Sequence, residues 1–432
     1  MKNTFYEKNK VLCIAIILFG GFVLGTFLLV LANMLPERSM VDIYHKNSLF
    51  FEEKQGWHWM IDGYDTTVID YNTEIHMMKG CLTPMPPSGE NIVQKSLRGY
   101  AYNEPGTVHG LKEYHYTKNG EELSCDSYER YWHGYEVILT PLFLIFDYSD
   151  LIVINGVLQI LLCYLVLRGC QKCKKRFLTI AFIGLWIVTM QPVIMLCLDY
   201  SVCFYLYMAA TLLLLNCPSV RKYYEVLFLA IGMATVYFDF LTWPVITLGV
   251  PLIVYLSLEE DKKYKKLVAS SCMWGLGYVG LWMEKWIFGS LILSDNIFKD
   301  AVRNLLYRSS SKLDEMEFTW IDVLLRNIAV WFKPAYMLLL AGVIAVIVVK
   351  AITMKKRCVE ITKNNMLPIL LVAVFPIAWI CLSKNHAYEH YWMTWRDFGV
   401  TVFAGICCVA MMFENCQSGR LQKKDEPVIG EE

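Results

Sequence analysis

Apolar residues in this chain gather in runs near twenty long, each matching the hydrocarbon thickness that a helix must cross. The pattern predicts helices at about 11 to 33, 150 to 168, 177 to 197, 201 to 216, 225 to 239, 243 to 257, 267 to 288, 329 to 350, 366 to 382 and 397 to 413. An all-α membrane protein of about ten transmembrane helices follows, with a large extracytoplasmic loop after the first. Asn216, Pro218, Asp239 and Pro244 punctuate a nearly continuous apolar stretch, so spans four to six are set by short breaks. The opening run Val11 to Leu31 is too long for a signal peptide and lacks a small-x-small cleavage site; it reads as a retained anchor.

Basic residues give an independent test of this order, because cytoplasmic loops carry the excess of Lys and Arg. Lys2, Lys8 and Lys10 precede the first span; Lys172, Lys174, Lys175 and Arg176 follow the second; Arg221 and Lys222 follow the fourth. Lys262, Lys263, Lys265 and Lys266 follow the sixth, Lys350, Lys355, Lys356 and Arg357 the eighth, and Arg420, Lys423 and Lys424 the last. Both termini are therefore expected in the cytoplasm. The chain divides into 1–34 (N-terminus and first span), 35–148 (extracytoplasmic loop), 149–288 (spans two to seven), 289–328 (second external loop), 329–413 (spans eight to ten) and 414–432 (cytoplasmic tail). Within the first loop, Tyr135 to Phe146 is apolar but short, as an interfacial or re-entrant helix would be. The second loop breaks the trend by placing Lys299, Arg303, Arg308, Lys312 and Arg326 outside.

Composition agrees with the pattern. Of 432 residues, 56% are hydrophobic and 19% charged, more apolar material than a soluble core of this size encloses. Lys plus Arg and Asp plus Glu are equal at 40, which removes the electrostatic case for nucleic acid as a partner. Most of the 15 cysteines lie in apolar runs and read as small buried hydrophobes, Cys163, Cys197 and Cys203 among them. Cys81 and Cys125 alone fall in the first large loop, where they either pair as an extracytoplasmic disulfide or stay free, and the lone Cys170/Cys173 pair is a weak metal signal beside the reading as solvated thiols at a helix end.

Ionisable groups avoid the bilayer centre and collect at the outer helix ends. The string Arg130 to Tyr135 sets a guanidinium and an imidazole, Arg130 and His133, among aromatics. Such a set can hold a phosphate and a sugar ring, or can sit in the headgroup belt. Asn385 to Arg396 is a similar string; its His386 and His390, with Glu389 between, suit a metal only on a continuous helix. Asp62, Asp65 and Asp70, then Glu74 and His76, offer a general base or solvated turn residues. Asp239, flanked by Tyr237, Phe238 and Phe240, ends the fifth span as a site residue or a helix cap.

The arrangement resembles the GT-C class of membrane glycosyltransferases, both in its order of elements and in the segments Arg130 to Tyr135, Asp239 to Pro244 and Asn385 to Arg396. The resemblance implies sugar transfer from a polyprenyl-phosphate carrier to an envelope acceptor on the outer face of a bacterial cell membrane. Asp62 or Asp65 would then be the catalytic base, with Asp42, Glu52 and Glu53 competing for the role. Arg130, Lys285 and Arg396 would be the phosphate ligands, with His133, Asp239, His386 and His390 lining the substrate site. Expected partners are membrane lipid and the polyprenyl-phosphate sugar; no cofactor is implied, and a divalent metal is left open. A polysaccharide polymerase or ligase, a lipid-linked sugar flippase or transporter, and a membrane scaffold are the competing classes. A transporter would show polar breaks along both halves of a path, where this chain is polar on one side.

Overall fold

Helices dominate the computed structural model, which describes residues 8–35, 56–82, 89–102, 125–353 and 366–424. Asp42, Glu52 and Glu53 lie outside the described residues. Helix α1 (Lys10–Asn33) is followed by a hairpin of β1 (Trp57–Trp59) and β2 (Val68–Asp70), then α2 (Tyr71–Leu82) and α3 (Ile92–Arg98). A second hairpin pairs β3 (Tyr100–Tyr102) with β4 (Cys125–Ser127) and precedes the short helix α4 (Tyr135–Phe143). The bundle follows: α5 (Tyr148–Lys172), α6 (Arg176–Val188), α7 (Gln191–Met195), α8 (Leu198–Asn216), α9 (Tyr224–Phe238), α10 (Val245–Leu258) and α11 (Lys263–Leu293). Helix α12 (Ile297–Ser309), the hairpin β5 (Lys312–Leu313) and β6 (Met316–Glu317), and α13 (Trp320–Ala329) lead to α14 (Pro334–Thr353). Helices α15 (Met366–Leu382), α16 (Lys384–Glu389) and α17 (Gly399–Lys424) complete the chain.

Among the described residues, four helices are long and apolar enough to cross a membrane: α1, α5, α8 and the segment Tyr391–Glu414. A fifth crossing is available if α13 and the start of α14, which meet at 86°, count as one broken span. Helices α6, α9, α10 and α15 are apolar but shorter. Phe19 and Phe27 on α1, Val153 and Ile160 on α5, and Leu338 and Val349 on α14 point outward. A surface of that kind is compatible with lipid.

The interior explains how the bundle closes. Helices α9 and α11 pack backbone to backbone, because a Cβ at Gly232 would stand 2.1 Å from Trp274 O and one at Gly277 2.1 Å from Leu229 O. The predicted span at 177 to 197 is broken rather than continuous. Met190 adopts φ +54 and Pro192 sits in the first turn of α7, where a missing N–H costs no helical bond. At the other end of α7 side chains from α5 reach its last carbonyls: Asn155 Nδ2 donates to Met195 O at 2.9 Å and Gln159 Nε2 to Ile194 O at 3.3 Å.

Cys81 is a buried free thiol, so the disulfide to Cys125 is not formed; the Cys125 side chain lies outside the described ones. Cys170 is buried, and Cys173 Sγ donates to Leu215 O at 3.4 Å.

Candidate functional site

Remote segments meet at the end of the bundle where α9 stops and α10 starts. Gly134 N donates to Tyr237 O at 3.0 Å, and a Cβ at Gly134 would lie 2.4 Å from that oxygen, so the 128–135 strip rests directly on the end of α9. Helix α11 holds the strip from the other side: Trp282 and Trp286 Nε1 donate to Arg130 O at 2.7 and 2.9 Å, and Trp132 Nε1 donates to Leu281 O at 3.2 Å.

This anchoring divides the predicted cations into two kinds. Arg130 keeps about a fifth of its side chain exposed, stacks on Tyr128 at 4.5 Å and Tyr131 at 5.2 Å, and pairs with Asp300 at 3.2 Å. Lys285 is fully enclosed, donates to Tyr131 O and lies 5.0 Å over the Trp132 ring. Its ammonium is committed to a backbone carbonyl. His133 is buried as well, with Nδ1 3.2 Å from Tyr135 OH and Nε2 3.2 Å from Tyr128 O. A carbonyl only accepts, so Nε2 carries the proton. Burial, reinforced by Lys285, pushes this imidazole down to about 3 and keeps it neutral. On α4, Glu136 is buried beside Asn33, and burial lifts it to about 8.

Opposite the strip lies the turn from Asp239 to Thr242. The half-buried Asp239 carboxylate accepts from Thr242 N at 3.1 Å and from its hydroxyl, which caps the turn. Leu241 is forced to φ +65, a left-handed conformation unusual for a branched side chain, and its carbonyl takes a 2.9 Å bond from His386 Nε2. His386 is thus a brace, neutral because burial pushes it down to about 3. The His390 ring lies 4.7 Å from it at a tilt of 44°, and burial lowers His390 to about 4. Arg308, unassigned from sequence beyond its outward charge, donates to Glu389 and approaches Asn385 Oδ1 at 3.4 Å. It shares the Tyr128 phenol electrostatically with Arg130. Two part-exposed groups, Arg130 stacked on Tyr128 and Arg308 with Glu389 and His390, the last two 3.6 Å apart, make up the cationic edge, and the charge of Arg308 reaches the Tyr128 phenol.

A third group is enclosed. Arg396, with no exposed surface, lies 4.0 Å over Tyr200, donates to Trp392 O at 2.9 Å, and leaves Nε without a partner among the described residues. Next to it Asp70 caps α2 through Thr73 N at 3.1 Å and accepts from Trp392 Nε1 at 3.1 Å. Glu74 accepts from Tyr148 OH and Asp199 N, both at 2.7 Å, while Asp199 Oδ1 accepts from Tyr200 N and the Cys197 thiol, both at 2.7 Å. Desolvation raises Asp70 and lifts Glu74 to about 7.

The two predicted bases separate. Asp62 is exposed on the turn at Gly63. Asp65, half-buried, accepts from Trp59 Nε1 at 3.0 Å and adjoins Tyr391, whose ring lies 4.2 Å under Arg326. His386, Glu389 and His390 do not converge as metal ligands; among the described residues that geometry occurs at Glu74, Cys197 and Asp199. Cys197 was hidden in the sequence by its apolar surroundings, although Cys-x-Asp at the start of a span was a usable signal. No family model matches this chain, and neither does any curated protein or solved structure.

Proposed function

We propose that this chain is an integral membrane glycosyltransferase of the GT-C type, moving a sugar from a polyprenyl-phosphate carrier to an envelope acceptor on the extracytoplasmic side of the cell membrane. The observation that carries the reading is the pair of part-exposed guanidinium groups, Arg130 stacked on Tyr128 and paired with Asp300, and Arg308 paired with Glu389. Two guanidinium groups beside aromatic faces suit a phosphate and the sugar attached to it. Each is held by a single exposed or half-exposed carboxylate, a partner that a phosphate can replace.

The topology that goes with this reading has ten crossings and cytoplasmic termini. It counts as crossings the four long helices, the bent pair, the four shorter apolar helices and the 31-residue α11. The reacting groups then gather on the outer side. Asp65 deprotonates the acceptor hydroxyl, the resulting oxygen attacks the anomeric carbon, and the polyprenyl phosphate leaves with its charge stabilised by Arg130 and Arg308. Lys285, Arg396, His133 and His386 act through the backbone: each donates to a carbonyl and so fixes the strands and turns that border the edge.

Membranes containing the protein, incubated with radiolabelled polyprenyl-phosphate hexose, test this assignment. Asp65→Asn abolishes transfer and Asp62→Asn preserves it. The reverse pattern moves the base to Asp62, and absence of transfer by the wild type across such donors defeats the reading.

A further inference from the structure

Glu74, Cys197 and Asp199 come from two distant parts of the chain, yet their ligand atoms all lie within 4.8 Å of one another. All three side chains are buried, Glu74 and Asp199 at 1% exposure and Cys197 at none. Buried anions are stable when paired with a cation or when they coordinate a metal. Asp199 feels the like charges of Glu74 and Asp70. Asp199 Oδ2 is enclosed with no hydrogen-bond partner among the described residues, which leaves one oxygen of the group unused.

We infer that Glu74, Cys197 and Asp199 bind one divalent cation of the zinc type. A thiolate with two carboxylates favours zinc over magnesium or calcium, which take oxygen ligands alone. The Tyr148 hydroxyl donates to Glu74 at 2.7 Å and so orients that carboxylate. The present bond from the Cys197 thiol to Asp199 Oδ1 belongs to the protonated arrangement. On binding, Cys197 gives up its proton to solvent, any proton held by the carboxylates leaves with it, and Asp199 turns Oδ2 to the metal. The ion then clamps α2 to the start of α8, joining the segment after α1 to the bundle. This inference is independent of the sugar-transfer reading.

The test uses the purified full-length protein, stripped with a chelator and titrated with cobalt and with zinc. One cobalt per chain with thiolate-to-metal charge-transfer absorption is expected, displaced by one equivalent of zinc. Cys197→Ser removes the absorption and Glu74→Gln weakens zinc binding at least tenfold, while the Cys170→Ser/Cys173→Ser double variant keeps both. Absence of the absorption in the wild type overturns the site whatever the variants do. Persistence in folded Cys197→Ser, or loss in the Cys170/Cys173 variant alone, overturns it as well.

Discussion

The cationic edge around Arg130 and Arg308 and the acidic group around Glu74 occupy the same end of the bundle, but solvent reaches only the first. At the edge, each guanidinium meets one carboxylate that is itself accessible, Asp300 or Glu389, so a competing anion can take its place at little cost. In the enclosed group the charges are locked. Arg396 lies over the Tyr200 and Trp395 rings, and Glu74, Asp70 and Asp199 hold backbone amides, Trp392 and Tyr148, with Asp199 Oδ2 alone left over among the described residues. The contrast teaches that proximity of ionisable groups does not make them equivalent: exposure suits the edge to ligands, and enclosure suits the interior to holding the architecture.

The strongest way to break the comparison is to empty the edge. Arg130→Ala with Arg308→Ala is expected to lower sugar transfer about a thousandfold, on the scale of lost transition-state charge stabilisation, with thermal unfolding of the purified protein little changed. Emptying the interior does the opposite. Arg396→Ala costs roughly 3 kcal/mol of stability through a cavity, two lost hydrogen bonds and lost ring contacts, and Arg396→Lys does not restore it because a point charge cannot stack on Tyr200. Calorimetry or thermal unfolding reads both.

A smaller effect sharpens the division by pH. Burial holds Glu136 up to about 8 in the folded state, so folding retains a proton that the unfolded chain releases near its ordinary 4.5. Stability from this group is complete below that ordinary value and falls as pH rises through about 8; Glu136→Gln removes the fall. His133 and His386 have the opposite sign, since folding keeps them neutral down to about 3. Their contribution is present above the ordinary histidine range and lost as pH drops from 6.5 toward 3. Melting temperature followed across this range checks both limbs. The smallest expected effect is Asp62→Asn, which changes stability by less than about 0.5 kcal/mol because the side chain is solvated.

Long, uninterrupted apolar runs were legible from sequence to within a few residues: about 11 to 33 became Lys10–Asn33, and about 150 to 168 became Tyr148–Lys172. The break inside 177 to 197 was not, because apolar residues run on through the left-handed turn at Met190, and the polar partners of α7, Asn155 and Gln159, come from another helix. The same limit governs the site. Arg130, His133 and Lys285 were picked out by residue type, but burial, which sorts ligand from brace, depends on α11 and the 239–242 turn packing around them. Cys197 looked like filler because its partner Glu74 lies in a different segment, and the three short hairpins were too brief to announce themselves.

The account rests on the edge being a phosphate site, and binding of a fluorescent polyprenyl phosphate to detergent-solubilised protein measures that directly. Saturable binding in the wild type is expected, weakened at least tenfold in the Arg130→Ala/Arg308→Ala variant and unchanged in Asp62→Asn. Equal binding by the wild type and the double arginine variant would contradict it.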